Sequence, residues 1–548
     1  MSKILEQLLA KRGFDRAFLA PKYEDSIDSY LLPDIEKAIG RVRQAVERSE
    51  RVLIYGDYDV DGVTASTALC DALNLAGVKE IEIMLPNRFT DGYGMSKKVV
   101  QKVAETQQKT EEKPVTLVFT VDCGSRNNEI VAELKALGVD TVVTDHHECG
   151  EKLPEAIAIV NPKRRDWLPG EDELEKALEL RELAGVGVVF KLAQALVKAG
   201  LIPDGQEKWL LDLVVIGTIC DSMMLTGENR RLCRYGMLVL EKTRRPGLKE
   251  LMLLAGVKKL DSEAIGFQIG PRLNAAGRMD TAEKALELLM AKQRPVAAQL
   301  ALELETLNKE RRKQQQTAIK EIEQQGISDD PVIVASGEWH EGILGIIAGR
   351  LTENYRRPAF VFGPAEGILK GSGRSFGDFN LATALDICQK YIIGGGGHAG
   401  ACGVKLAADG LEDFRTAINE YYRALNLQDQ ERFLETEADV VVEEFAELSL
   451  ELIEELSKLE PYGQGNAEPV FLLSGVRIVD VGKLGTDGQH LRLTVWDKQG
   501  KSFKLMCFYA PEEYLKLSGG EIIDAWITLT ENEFRGIRSV EGRIVKLG

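Results

Sequence analysis

Residues 51–62 read RVLIYGDYDVDG, an apolar run that ends in three alternate aspartates, Asp57, Asp59 and Asp61. Three further apolar runs end in metal-ligand-type side chains: residues 114–124 (PVTLVFTVDCG), 139–147 (VDTVVTDHH) and 213–221 (LVVIGTICD). Val/Ile/Leu-rich runs separated by helical stretches are typical of parallel strands, and parallel sheets bind ligands beyond the carboxyl ends of their strands. The sequence therefore predicts that these side chains meet at one crevice of a doubly wound sheet.

The predicted crevice combines carboxylates with a histidine pair. Asp122 ends the second run, Asp145, His146 and His147 end the third, and Asp221 ends the fourth. Carboxylates favour Mg²⁺ or Mn²⁺, and an imidazole shifts the preference towards Mn²⁺. Two such ions stabilise both the attacking and the leaving oxygen of a displacement at phosphorus. The pattern predicts a two-metal site that hydrolyses phosphate esters, in which His147 either binds metal or stabilises charge on the phosphate.

The length and composition are those of a multidomain globular protein. The 548 residues predict two to four domains, and eight cysteines without a CxxC pair argue against a disulfide framework or a structural zinc site. We expect a cytoplasmic protein with no membrane association, because no apolar stretch reaches the length of a membrane span and the N-terminus lacks a signal peptide's apolar block. The net charge of −17 argues against a nucleic-acid partner, but site carboxylates and acidic helices account for part of it.

The hydropathy pattern predicts an α/β protein with two α/β lobes joined by a long helical connector, plus a C-terminal OB-like β-barrel. The predicted parts are an N-terminal helical segment (1–50) that packs onto the adjoining part of the chain, a catalytic domain (51–280), a helical connector interrupted only by Pro295 (281–330), a second α/β domain (331–425), linker helices (426–460) and the barrel (461–548).

Several basic side chains lie where they can bind phosphate. Four arginines occupy glycine-rich or turn-like segments, in which a guanidinium can bind an anion through two hydrogen bonds. They are Arg88, Arg272, Arg278 and Arg374. The glycine run at 394–403 offers backbone N–H groups on both sides of His398, which predicts a phosphate-binding turn. His340, after Trp339, is expected either at the far wall of the cleft or in a capping or packing role.

Taken in order, the motifs around Asp57, Asp122, Asp145 and Asp221 resemble those of the DHH phosphoesterase superfamily. The opening GDYDVDG, in place of a His-x-x-x-Asp-x-Asp pattern, is similar to that of the bacterial RecJ exonuclease family. Six further segments extend the resemblance over nearly the whole chain: RFTDGYG (88–94), GPRLNAAGRM (270–279), WHEGILGIIAGRL (339–351), GSGRS (371–375), GGGGHAGACG (394–403) and PYGQGNAEPVF (461–471).

The resemblance implies a single-strand-specific DNA exonuclease that works 5′→3′ with two Mn²⁺ or Mg²⁺ ions and releases 5′-mononucleotides in recombination and repair. It identifies the two lobes as DHH and DHHA1-type domains. The implied partners are single-stranded DNA, a single-stranded-DNA-binding protein and a RecQ-type helicase.

The resemblance also implies roles for individual residues. The implied metal ligands are Asp57, Asp59, Asp61, Asp122, His146 and Asp221. The implied catalytic residues are Asp145 and His147, which support the site and contact phosphate, and Arg278, which lies near the scissile phosphate together with Asn274. Arg88, Ser372 and Arg374 would form a pocket for the 5′-phosphate, and this pocket would explain the polarity. Arg272, His340 and His398 complete the expected substrate-binding set.

Three other functions fit parts of the pattern. A DHH-type phosphodiesterase for short oligonucleotides or cyclic dinucleotides would share the metal residues, but such relatives usually lack the terminal barrel. A non-catalytic scaffold would have lost metal ligands, and every ligand position is intact here. An inorganic pyrophosphatase normally opens with a histidine where this chain has GDYDVDG.

Overall fold

The computed structural model describes the chain apart from residues 93, 110–112, 168, 366, 428–435 and 486. Its contacts divide it into two compact units, Met1–Ser26 with Met224–Arg234 and Glu435–Gly548, and Ile27–Met223 with Tyr235–Leu434. The predicted N-terminal segment, 1–50, is therefore shared between the units. Part of the RFTDGYG motif (residue 93) and part of the predicted linker helices (428–435) lie outside the described residues.

The smaller unit contains the C-terminal barrel. Its elements are α1 (Lys3–Arg12), and, numbered here in chain order, β11 (Val440–Val442), α18 (Leu450–Leu456), β12 (Phe471–Leu484), β13 (His490–Trp496), β14 (Ser502–Cys507), β15 (Ile522–Phe534) and β16 (Ile537–Leu547). The ring closes because β12 pairs with both β13 and β15, in the order β12-β13-β14-β16-β15. This closed ring confirms the predicted OB-like barrel. Leu5 and Leu8 of α1 pack into its core, so the expectation that the N-terminus packs onto the adjoining part of the chain is wrong for α1.

A five-stranded parallel sheet forms the first layer of the larger unit. Its strands are β1 (Arg51–Tyr55), β2 (Glu80–Met84), β3 (Val115–Val121), β4 (Asp140–Thr144) and β5 (Ala158–Val160), in the order β2-β1-β3-β4-β5. The chain adds β2 on one side of β1 and the later strands on the other side, so the strand order reverses between β1 and β3. Open α/β sheets bind ligands at such a point. The structure confirms that the first three apolar runs are neighbouring parallel strands.

Helices cover this sheet and lead into the second lobe. They are α2 (Ile35–Glu47), α3 (Val60–Ala76), α4 (Lys97–Gln108), α5 (Asn128–Ala136), α6 (Leu174–Arg181), α7 (Gly185–Lys198), α8 (Leu211–Cys220), α9 (Gly227–Glu241), α10 (Pro246–Ala255), α11 (Ser262–Ala264), a π-helical turn (Ile265–Ile269), α12 (Gly270–Met279), α13 (Glu283–Met290) and α14 (Arg294–Gln325). Pro295 lies in the first turn of α14, where the missing N–H has no helical partner to lose. Among the described residues, no helix combines the length and apolar character needed to cross a membrane.

The fourth apolar run is a helix, so the interpretation of residues 213–221 as a strand is wrong. In α8, Leu213, Val214, Val215 and Ile216 are all 0% exposed. A helix buried on every side is apolar all round, and a short run of this kind cannot be distinguished from a buried strand by its periodicity. Asp221 nevertheless directly follows the C-terminal residue of the element, as it would have followed a strand.

The second lobe is a mixed sheet with helices. Its elements are β6 (Ile333–Ser336), α15 (Leu344–Tyr355), β7 (Ala359–Ala365), β8 (Ile368–Arg374), α16 (Leu381–Ile387), β9 (Gly394–Gly397), β10 (Ala401–Ala407) and α17 (Leu411–Ala424), with strand order β6-β7-β8-β10-β9. Of the described strand pairs in this sheet, β6–β7 is parallel and the other three are antiparallel. Phe360 and Phe362 of β7 pack against Phe414 of α17 in its core. The predicted second α/β lobe is confirmed.

Candidate metal centre and phosphate-binding cleft

The loop between β1 and α3 positions three aspartates. Asp59 caps α3, its carboxylate accepting the N–H of Gly62 at 3.0 Å. A Cβ at Gly62 would lie 2.5 Å from the carbonyl oxygen of Asp57, so only glycine allows this tight turn. Asp61 accepts the N–H groups of Gly185 (2.6 Å) and Val186 (2.9 Å) at the start of α7, where a helix favours negative charge.

Asp122 and Asp145 follow the neighbouring strands β3 and β4. Asp122 has a left-handed backbone (φ 59°), which Asp and Asn adopt more readily than other side chains, and its N–H donates to Thr144 O at 3.0 Å. This conformation turns the chain directly after the strand. The Asp145 carboxylate accepts the N–H groups of Ser125 and His146, which hold it in place.

The imidazole of His146 lies among three carboxylates. Its Nε2 is 3.0 Å from Oδ1 of Asp122, 3.6 Å from Oδ2 of Asp221 and 3.7 Å from Oδ2 of Asp61. The side chains form three groups whose ligand atoms all lie within 4.8 Å of one another: Asp57 with Asp59 and Asp122, Asp61 with His146 and Asp221, and Asp122 with His146 and His147. The first two groups have no member in common. The structure thus brings all six predicted metal ligands together in two adjacent sets.

The electrostatics of the cluster favour a bound cation. Burial, with Asp59 nearby, raises the pKa of Asp61 to about 7, and burial beside Asp61 raises the pKa of Asp221 to about 8. Burial lowers the pKa of His146 to about 3, so its ring is neutral, as a metal ligand must be. Within the part of the chain that the structure describes, one oxygen each of Asp57 and Asp122 is buried without a hydrogen bond of normal geometry. Oxygen donors with one imidazole fit Mn²⁺ or Mg²⁺.

A cleft of about 660 Å³ lies between the two lobes of the larger unit and contains the three residues predicted for the 5′-phosphate. Nη1 of Arg374 donates to Ser372 Oγ at 3.2 Å, and Arg88 lies over the ring of Tyr58, 5.2 Å from its centroid. A Cβ at Gly345, in the first turn of α15, would lie 3.1 Å from both Ser372 Oγ and Arg374 Nη2. Glycine therefore keeps this helix end close to the pair, which suits an anion.

Two lysines in the same cleft were missed by the sequence interpretation. Lys370 and Lys405 both line the cleft and are directly opposite each other on β8 and β10. Like charges in a cross-strand pair are destabilising unless an anion offsets them, and only Lys370 has a described ion-pair partner, Glu341 at 2.7 Å. The sequence contains both lysines but not the strand register that pairs them.

A second, smaller cavity of about 160 Å³ contains Asn274 and Arg278, which the sequence analysis predicted, and Arg311, which it did not. Nη1 of Arg278 lies 3.5 Å from the carbonyl oxygen of Gly342. Burial lowers the pKa of Arg278 to about 10, and the neighbouring guanidinium of Arg88 adds to this effect. An anion beside Arg278 would offset both the burial of its charge and the repulsion from Arg88.

Three predicted substrate residues lie elsewhere. Arg272 is paired with Glu305 of α14 at 2.6 Å and donates to the carbonyl oxygen of Gln268. Nδ1 of His340 accepts the N–H of Gly342 at 3.2 Å, which is the capping arrangement. His398 is exposed in the β9–β10 turn and is not among the residues that line the 660 Å³ cleft, although glycines 395–397 are. Contact of these three residues with substrate remains a prediction.

Three parts of the chain match the models of known domain families. Residues 51–218 match the model of the DHH family, N-terminal domain, residues 329–424 match the DHHA1 domain, and residues 439–546 match the RecJ OB domain. The three matches follow one another along the chain in the order of the two lobes and the barrel. The catalytic lobe is therefore of the DHH type.

Individual relatives narrow the class. Single-stranded-DNA-specific exonuclease RecJ of Dickeya dadantii is 33% identical over 98% of this chain and 94% of its own length. The Bacillus subtilis protein of the same name is 37% identical over 92% of this chain, which spans 63% of that protein. The crystal structure of Thermus thermophilus RecJ in complex with Mn²⁺ superimposes with a TM-score of 0.84 at 28% identity, over 100% of this chain and 76% of that one. The chain belongs to the RecJ family of single-stranded-DNA-specific exonucleases.

Proposed function

We propose that the chain is a single-stranded-DNA-specific exonuclease that removes 5′-mononucleotides from the 5′ end with two Mn²⁺ or Mg²⁺ ions. The observation that carries this proposal is the position of two sets of metal-ligand side chains beside a basic cleft. The two features are joined at Tyr58, which stands between Asp57 and Asp59 in sequence and contacts Arg88 of the cleft through its ring. An end-binding pocket next to a hydrolytic centre is what an exonuclease needs.

The donor atoms and the relatives both support a two-ion site. Solved structures of Thermus thermophilus RecJ contain Mn²⁺ in one case and Mg²⁺ in the other. In this chain Asp57, Asp59 and Asp122 would hold one ion, and Asp61, His146 and Asp221 would hold the other. When bound, the ions supply positive charge that offsets the charge of the phosphate and assists attack by water.

The residues beside the metal sets position the phosphate. Asp145 accepts a hydrogen bond from Nδ1 of His147 at 2.9 Å, which fixes the orientation of the imidazole beside the metal sets. Arg278, buried and close to other guanidinium groups, stabilises the charge that develops on the scissile phosphate. Arg88, Ser372 and Arg374 bind the 5′-phosphate, and this anchor gives the enzyme its 5′→3′ direction.

The barrel is assigned to the binding of the single strand. Phe508 (54% exposed) and Tyr509 (76% exposed) form edge-to-face contacts with His490, so the barrel presents an exposed aromatic cluster of the kind on which bases stack. Phe471, in contrast, is 0% exposed and belongs to the core. We further propose that the chain acts in recombination and repair in the cytoplasm. Its proposed partners are a single-stranded-DNA-binding protein and a RecQ-type helicase. The predicted domain boundaries are kept as part of this proposal.

The experiment uses single-stranded DNA labelled at either end, with Mn²⁺, Mg²⁺ or chelator. We expect metal-dependent release of 5′-mononucleotides from the 5′ end and no cleavage of a blunt duplex. Cleavage of dinucleotides alone would favour a phosphodiesterase for short substrates. Binding of the strand without cleavage in either metal would indicate a scaffold.

A further inference from the structure

The cavity of about 160 Å³ beside the metal centre contains a buried arginine, Arg311, that the proposed exonuclease function does not use. Arg311 lies on the buried face of α14, is 8% exposed, and lines the cavity together with Asn274 and Arg278. Among the described residues, its guanidinium donates to two neutral oxygens, Asn308 Oδ1 at 3.0 Å and Gln315 Oε1 at 3.4 Å. In the part of the chain that the structure describes, neither Arg311 nor Arg278 forms an ion pair with a carboxylate.

Two buried guanidinium groups without carboxylates are unfavourable unless an anion binds between them. Burial lowers the pKa of Arg311, as it does that of Arg278. The nearby amide of Asn274 adds a neutral hydrogen-bond donor to the same cavity. These groups together match the oxygens of a phosphodiester.

The position of the cavity identifies which phosphate it suits. Cys220, which lines the cavity, directly precedes Asp221 of the metal centre. The larger cleft approaches the centre from the Asp57 side, through Arg88 and Tyr58. The two spaces have no lining residue in common and lie on either side of the first turn of α15, whose Gly345 lines the cleft and whose Ile346 lines the cavity.

We propose that Arg311, next to the Arg278 that serves the scissile phosphate, binds the phosphate on the 3′ side of the scissile bond. This assignment rests on the proposed exonuclease function. A strand whose 5′-phosphate is held in the larger cleft places its first phosphodiester at the metals and its second at Arg311. The second phosphodiester thereby orients the bond that is cut.

The test compares two short substrates and the full-length chain with Mn²⁺. A 5′-phosphorylated dithymidylate has no phosphate on the 3′ side of the scissile bond, whereas the trithymidylate has one. We expect kcat/KM of the wild type to be about 10- to 100-fold higher for the trinucleotide, the effect of a hydrogen bond to a charged group. Arg311→Gln should lower kcat/KM for the trinucleotide to the value for the dinucleotide and leave kcat/KM for the dinucleotide unchanged.

The neighbouring residue supplies a matched control. Arg312 is exposed on the same helix, so Arg312→Gln removes the same charge one position away and should keep the wild-type ratio of trinucleotide to dinucleotide. A trinucleotide with a neutral methylphosphonate at the second phosphodiester should lower kcat/KM of the wild type as much as Arg311→Gln lowers kcat/KM for the normal trinucleotide. For Arg311→Gln, the methylphosphonate should not lower kcat/KM further. Because the change is in the substrate, the wild type can be tested even where the variant folds poorly.

Three results would overturn the assignment. Equal losses on both substrates in Arg311→Gln would mean that Arg311 acts on the scissile phosphate. A wild type with no preference for the trinucleotide, or one insensitive to the methylphosphonate, would mean that the cavity binds no phosphate of the strand. Failure of the wild type to cleave longer single strands as well would instead reject the exonuclease function, and with it this assignment.

Discussion

Nδ1 of His147 lies 2.9 Å from Oδ1 of Asp145, the same oxygen that accepts the backbone N–H groups of His146 and His147. Burial alone would raise the pKa of Asp145, but the hydrogen bond from His147 and its positive charge hold the pKa below its usual range. Burial opposes protonation of His147, yet the Asp145 hydrogen bond raises its pKa. The pair therefore keeps the carboxylate of Asp145 ionised and a proton on Nδ1 of His147.

We expect Asp145→Asn to lower kcat/KM about 10- to 100-fold, as loss of a partner that orients an active-site histidine does. The neutral amide oxygen accepts a weaker hydrogen bond from Nδ1 of His147, and the amide NH2 group faces the N–H of Ser125, so the imidazole is held less firmly beside the phosphate. Steady-state kinetics with 5′-phosphorylated single-stranded DNA measure the effect. Glu148→Gln, a neighbouring exposed carboxylate, is the matched control and should retain wild-type activity. Equal losses in both variants would contradict the role of Asp145.

Asp122 combines a ligand role with a demanding backbone conformation. Asp122→Asn and Asp122→Ala should both reduce nuclease activity at least about 100-fold, because each removes the carboxylate adjacent to both metal sets. Only the alanine variant should also lose stability, by about 1–2 kcal/mol relative to asparagine, since alanine disfavours the positive φ. Nuclease assays and denaturant unfolding without metal separate the two effects. An asparagine variant with full activity would reject Asp122 as a ligand.

The metal-free protein should become less stable as the pH rises. The unfolded chain ionises its aspartates near about pH 4. In the folded chain burial beside like charges raises the pKa of Asp61 to about 7 and of Asp221 to about 8. Between these limits the folded state binds more protons than the unfolded state, so stability is greatest at the acidic end and is lost as pH rises towards about 8.

A divalent cation should reverse this trend, because it binds the ionised carboxylates. We expect Mn²⁺ to raise Tm more at about pH 8 than at about pH 5.5, since acid keeps carboxylates protonated. Thermal unfolding with and without Mn²⁺ measures the difference. Asp61→Asn with Asp221→Asn should flatten the profile of the metal-free protein. A metal-free Tm that increases across this window would show that the carboxylates are not coupled as described.

Arg374→Gln should remove the preference for a 5′-phosphate. We expect kcat/KM on 5′-phosphorylated strands to fall about 10- to 100-fold, as for the loss of a charged hydrogen bond, and to change little on 5′-hydroxyl strands. Arg350→Gln is the control, because Arg350 is exposed on α15 and is not among the residues that line the cleft. A uniform loss on both kinds of end would place Arg374 outside the 5′-phosphate pocket.

The sequence predicted the metal centre because its residues follow easily recognised apolar runs. Asp57, Asp122 and Asp145 come directly after buried strands or one short turn beyond, and the carboxyl ends of neighbouring parallel strands meet at one edge. Asp221 lies beside His146 although its run is a helix, because the end of α8 and the ends of the strands meet at the same crevice. The resemblance supplied the division of roles among the ligands.

Arg311 was missed for a physical reason. In α14 the buried positions Ala297, Ala301, Leu304, Asn308 and Arg311 follow a spacing of four and three, so Arg311 is in phase with an apolar seam. A charged residue in such a phase indicates a buried polar contact, but in the stretch KERRKQQQ it is adjacent to exposed Arg312 and Lys313. Only the three-dimensional packing of α14 against α12 distinguishes the two arginines. Arg272, in contrast, lies in a recognised motif but is used in an ion pair with Glu305.

Two glycines, Gly185 and Gly217, pack directly against the carboxylates of the metal centre. A Cβ at Gly185 would lie 2.8 Å from Cβ of Asp122, and one at Gly217 would lie 2.8 Å from Oδ1 of Asp61. Both glycines have helical backbones, so the requirement is for space and not for an unusual conformation. As homologues diverge, even an alanine at either position would displace a carboxylate. We therefore expect substitutions to be tolerated at many positions of the surrounding apolar core but not at Gly185 and Gly217, where no space for a Cβ exists.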